Sequence, residues 1–227
     1  MSVVLVIKWM MITTSALAQL SAAHTYVTPS WQIGRDTRTV NSVAEALALP
    51  SGYKAIVADV ERWKFTPRDE QANPALAIMQ ICAIAHARNE RCIAAPGLDL
   101  FRGPSGYLAS GVTQAAWSAD GWEVQAQTLE LHPAKYRAFV LAVKAQVHRV
   151  QPHVKIIAGL TTSDRIGHVT GLKLWHAYAS VRYHVAGFWG NVPKHGPKCP
   201  TCGAVNPGPL VYVLRRAYPN QTGPSAP

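Results

Sequence analysis

Asp59 and Glu61 end the run YKAIVADVE, two residues apart in a chain of 227 that holds only 12 acidic residues. On an extended strand both carboxyls leave the same face, about 7 Å apart along the chain. Two such groups resist ionising together, so one of them can keep a proton at neutral pH and deliver it as a general acid. Glu61 is the candidate acid and Asp59 the group that tunes it. The remaining acids sort by position: Glu45, Asp69 and Glu70 fall on helices, Asp36 and Glu90 on loops, and Asp120 and Glu123 at the start of a strand, all ordinary solvated places. Asp99, Glu130 and Asp164 share the strand-end position with Asp59 and Glu61. Asp99 and Asp164 are the candidate partners of Glu61, expected across or around the mouth at the longer separation that leaves room for a water.

If Asp59 and Glu61 face inward, the matching positions of the other strands should be polar or aromatic too. They are: Gly97 and Asp99, Gln125 and Gln127, Thr161 and Ser163, Trp189 and Asn191. A buried amide costs a few kcal/mol unless it is hydrogen-bonded, so Gln125 and Gln127 imply a polar cavity. Gln125, Gln127, Trp189 and Asn191 are the candidate substrate-binding residues. The bland alternative is a structural network of Asp59 and Glu61 with Arg62, Arg102 or a glutamine.

The elements that must position these residues alternate. Helical spacing appears in VNSVAEALAL, PRDEQANPALAIMQICAIAHARNE, GYLASGVTQAAWSAD, HPAKYRAFVLAVKAQVHRV, TGLKLWHAYASVRYH and PGPLVYVLRRAY. Short apolar runs separate them: YKAIVADV, RCIAAPGLDL, GWEVQAQ, VKIIAGLTTS and VAGFWGNVP. Helix–strand repeats of this length force parallel strands, and apolar strands mean burial on both faces. With HTYVTPSW there are six strands, and seven if Ser2–Trp9 is one. The expected fold is therefore an α/β chain forming a reduced or irregular (β/α) TIM-like barrel, a single domain over residues 24–227, with its chemistry at the carboxyl ends of the strands. No Gly-rich phosphate loop follows an early strand, which argues against a doubly wound nucleotide fold.

Residues 1–23 read in two ways. An apolar stretch followed by Ala16-Leu17-Ala18 and Ser21-Ala22-Ala23 fits a signal peptide, whereas Lys8 inside that stretch fits a first strand. The signal-peptide reading makes the protein secreted and the strand reading makes it cytoplasmic, with no stable membrane span in either case. Four cysteines allow two disulfides. Cys199 and Cys202, spaced C-x-x-C, suit a short disulfide or a plain loop better than metal, while Cys82 and Cys92 read as a helix core position and a strand start. No H-x-x-x-H or H-E-x-x-H pair points to a metal, no G-x-S-x-G elbow to a serine hydrolase, and no cofactor is expected. Twenty-two Lys and Arg give a formal charge of +10, which attracts anionic polymers. The basic residues are scattered, without the helix or motif of a nucleic-acid binder.

The order of strand endings resembles the second half of the chitinase-type barrel, glycoside hydrolase family 18. Its D-x-E is matched by Asp59-Val60-Glu61, and IAAPG, VQAQ, AGL and GFWGN follow in similar character. The resemblance implies a glycoside hydrolase acting on a polysaccharide or oligosaccharide, with Glu61 protonating the glycosidic oxygen, Asp59 orienting an N-acetyl group and Trp189 flooring a sugar subsite. The family's outer acids are replaced by Lys54 and Val57, and its Tyr-Asp by Gln125-Ala126-Gln127. A more general glycosidase, using Glu61 with Asp99 or Asp164, survives these departures, and a carbohydrate-binding barrel without catalysis is the alternative.

Overall fold

The computed structural model describes residues 9–12, 37–193, 195, 204 and 206–217. The expected strand HTYVTPSW, the Cys199–Cys202 pair and most of the N-terminal leader lie outside them. Seven parallel strands form one sheet: β1 (Trp9–Ile12), β2 (Thr37–Val40), β3 (Ala55–Ala58), β4 (Arg91–Ala94), β5 (Gly121–Val124), β6 (Lys155–Thr161) and β7 (Gly187–Asn191). The helices between and after them are α1 (Val43–Ala48), α2 (Arg68–Ala72), α3 (Pro74–Ala87), α4 (Pro104–Ala109), α5 (Pro133–Val150), α6 (Gly171–Val181) and α7 (Gly208–Ala217).

Strand order is β1-β7-β6-β5-β4-β3-β2. From β2 to β7 each strand lies beside its predecessor, so right-handed crossovers put every helix on the same side of the sheet. The side chains follow: Ile56, Ala58, Cys92, Ala94, Trp122, Val124, Ala158, Leu160 and Phe188 join the helix-side core, while Ala55, Val57, Ile93, Ala95, Ile157 and Trp189 form a second cluster on the opposite face. On that inner face a Cβ added to Gly121 of β5 would touch both Ile93 of β4 and Ile157 of β6, at 3.2 and 3.6 Å. The flanking strands thus meet over a glycine, as a curling sheet requires.

The winding is that of a half-barrel. Among the described residues β1 and β2 share no ladder, so a complete barrel is not formed by them. The first strand lies over Trp9–Ile12, displaced from the Ser2–Trp9 expected, and β2 occupies Thr37–Val40, where no strand was expected. Two expected helices are each broken. Asn73-Pro74 separates α2 from α3: Asn73 caps α3 by accepting from the Leu76 N–H, and Pro74 takes the first helical position, where its missing N–H costs nothing. Gly111, at φ +74°, separates α4 from a 3-10 helix over Val112–Ser118.

Cys82 and Cys92 form a disulfide, contrary to their expected roles as isolated helix and strand residues. A helix running into a strand through a tight turn brings residues equidistant from that turn face to face. Cys82 lies on the core side of α3 and Cys92 on the helix side of β4, both fully buried. A buried bridge closing a loop this short adds about 2–3 kcal/mol. Removing it in Cys82→Ala/Cys92→Ala should lower the urea midpoint by the corresponding amount, and wild type unfolded with reductant should match the variant.

Candidate functional site

The inner-face residues fall into layers set by register. In β3 and β4, Ala58 lies opposite Ala94, and the ladder runs on past both strands: the Ala95 N–H donates to the Ala58 carbonyl at 2.9 Å and the Gly97 N–H to the Val60 carbonyl at 2.8 Å. Continuing it places Asp59 level with Ala95 and Glu61 level with Gly97. In β5 and β6, Glu123 lies opposite Ile157; in β6 and β7, Gly159 lies opposite Trp189 and Thr161 opposite Asn191. Alanine and glycine on the β4 side leave space into which acids from both neighbours reach.

Asp59 is held from two directions. Its Oδ1 accepts from Gln125 Nε2 at 2.8 Å and its Oδ2 from Asn41 Nδ2 at 3.3 Å. The same Gln125 nitrogen also donates to the Ala95 carbonyl at 2.9 Å. Asp99 accepts from the Arg62 N–H through both oxygens, at 3.3 and 3.2 Å. A Cβ added to Gly97 would stand 2.5 Å from Asp99 Oδ1 and 3.0 Å from Glu61 Cγ. Asp99 and Glu61 thus both lie against Gly97, on neighbouring strand ends, where Asp99 was expected across or around the mouth.

Burial pushes the Glu61 carboxyl well above its ordinary pKa; the charges of Asp59, Asp99 and Glu123 push further in the same direction, and hydrogen bonding from Gln125 opposes them. Beneath Glu61, Glu123 is 3 % exposed, and burial, then the charge of Asp59, raises its pKa well above normal. The solvated strand-start position expected for Glu123 is thus incorrect. The missed signal was the same alternation that singled out Gln125, since Glu123 stands two residues before it. Asn41 carried no sequence signal of its own.

The other candidates are held by other contacts. Gln127 is in a 3-10 turn over Gln127–Leu129, not in the strand, because Ala126 leaves the extended conformation (φ −101°, ψ 17°); its amide lies over Gly159. Trp189 is buried in the inner-face cluster with Val57, Ala95 and Ile157. Asn191 is half-buried, its carbonyl accepting from the Thr162 N–H at 3.0 Å. Asp164 sits on a 3-10 turn, exposed, with Oδ1 accepting from the Val169 N–H at 3.2 Å and lying 3.9 Å from His168 Nδ1. Among the described residues no set of three or more His, Cys, Asp and Glu is arranged to hold a metal ion. A separate cleft of about 250 Å³ opens behind the Asp99 loop, between Gln71–Ala75 and Leu100–Phe101, and includes none of the carboxylates.

The contact across Gly97 can be tested directly. Its φ of −64° suits any residue, so Gly97→Ala should fold, yet the added methyl must part Glu61 from Asp99. The Glu61 pKa is expected to fall, read as a shift of its side-chain carboxyl resonance with pH.

No protein-family model matches the chain, the chitinase-type model included, and no curated protein matches it. Among solved structures it is similar to the structure of the U32 peptidase Mk0906, at 12 % identity and a TM-score of 0.32, over 77 % of this chain and 99 % of that chain. A likeness at that level says nothing about activity.

Proposed function

We propose that the protein is a glycoside hydrolase acting on a polysaccharide, with Glu61 as general acid and Asp99 as its carboxylate partner. The carrying observation is the Glu61–Asp99 pair: one carboxyl whose pKa is raised by burial and neighbouring charge, the other engaged as acceptor from the Arg62 N–H, both lying against Gly97. A carboxyl with a raised pKa beside a second carboxylate is the equipment that glycosidic cleavage uses. Adjacency favours the shorter of the two carboxyl spacings, about 5–5.5 Å, over the one that admits a water. On this reading Asp99 attacks the anomeric carbon while Glu61 protonates the departing oxygen; water then cleaves the glycosyl ester with Glu61 as base, and configuration is retained. Asp59, fixed by Gln125 and Asn41, keeps the Glu61 pKa high.

Purified protein screened against a panel of polysaccharides, acidic and amino-sugar polymers included, should release reducing ends from at least one. Products followed by NMR should appear first in the anomeric configuration of the substrate. First appearance of the opposite anomer would remove Asp99 as nucleophile. Binding without turnover in wild type would make the protein a carbohydrate-binding barrel instead.

A further inference from the structure

We propose that the outer face of α5, α6 and α7 is a docking surface for an anionic phospholipid membrane. The basic residues look scattered in the sequence, but residues 131–227 carry 12 of the 22 Lys and Arg and one acid, Asp164. None of these three helices contains Asp or Glu. The fold packs α6 between α5 and α7, which gathers their charges. Arg137 and Lys144 of α5 reach carbonyls at the end of α6, those of Ser180 at 3.0 Å and His184 at 2.7 Å. On the other flank, Arg182 lies over the Tyr183 ring and Arg216 of α7 over the Trp175 ring, at 4.6 and 5.0 Å from the centroids. Rings and carbonyls hold these cations in place, and no carboxylate pairs with any of the four among the described residues.

Charge alone would suit any polyanion. What selects lipid is that the ridge of α6 carries apolar tips at both ends, Leu172 in its first turn at 51 % exposed and Tyr183 just past its last at 77 %. The two are about 16 Å apart along the helix. A nucleic acid duplex has no apolar layer to receive them. A bilayer accepts such tips at the headgroup boundary while flanking cations meet its phosphates.

Vesicles of phosphatidylcholine alone and with one-third phosphatidylglycerol provide the test, by co-sedimentation at low salt and at about 0.5 M salt, where exposed charges are screened. Wild type should sediment with the anionic vesicles at low salt and remain in solution with neutral ones. Arg182→Glu/Arg216→Glu should weaken partitioning tenfold or more, whereas Lys64→Glu/Arg68→Glu, with the same net charge, should change it less than threefold. Leu172→Ser keeps every charge, leaves the Tyr183 ring under Arg182 and alters only an exposed position, so it should fold as wild type and still lose several-fold. Equal loss in the two charge variants, no loss in the serine variant, or binding to double-stranded DNA without binding to anionic vesicles would overturn the proposal.

Discussion

Glu61→Gln is expected to bind polymer with nearly unchanged affinity and to release reducing ends about 10²–10⁴-fold more slowly than wild type, the range a general acid contributes. Glutamine keeps the shape of a protonated carboxyl and its hydrogen bonding, so the surrounding Asp59, Asp99 and Gln125 keep their places. What it lacks is the transferable proton. The loss should appear in kcat with KM nearly unchanged, because the proton moves only in the transition state. In wild type, the alkaline limb of the rate profile should lie well above the ordinary carboxylate range, since burial and the three neighbouring carboxyls all hold the proton on Glu61. Asp59→Asn should bring that limb to lower pH by removing one of the charges. An unchanged rate in Glu61→Gln, with the limb of Asp59→Asn unmoved, would take catalysis away from this cluster.

Wild type is also expected to lose stability steadily from about pH 5 to pH 9, and Glu130→Gln to lose it less steeply. Glu130 is 0 % exposed. Its Oε2 accepts from the Thr161 N–H at 2.9 Å, and its Oε1 has no partner. Burial raises its pKa to about 9, with the Thr161 hydrogen bond acting against the rise. Between the unfolded value near 4.5 and that folded value, the native state keeps a proton that the unfolded chain has released. Stability therefore falls as pH rises through this window, by about 1.4 kcal/mol per pH unit for one such group. Glutamine holds no titrating proton and can still accept from Thr161. The two proteins should melt alike near pH 4.5 and diverge progressively above it, the variant being the more stable at pH 8. Parallel melting curves across the range would show that Glu130 ionises normally in the fold. Glu61 and Glu123, raised for similar reasons, keep some slope in the variant.

Local periodicity settled a good deal about this protein. Apolar runs of strand length between amphipathic segments dictate a parallel sheet covered by helices, and the two-residue spacing of Asp59 and Glu61 dictates a shared face, because both follow from the geometry of a single strand and its crossover. The same rule, carried one step back from Gln125, reaches Glu123. Partners on different strands obey no such rule. Asp99 meets Glu61 because the β3–β4 register sets Gly97 beside it, and Asp164 turns to its own loop because β6 ends in a tight 3-10 turn. Cys82 reaches Cys92 only once α3 lies on β4. The chain ordering alone left the sheet's closure open as well, since curling depends on which side chains meet over Gly121 and on strands β1 and β2, which share no ladder among the described residues. Register, curvature and burial are collective outcomes of packing, and here they decided which carboxyls are buried, which are paired and which face water.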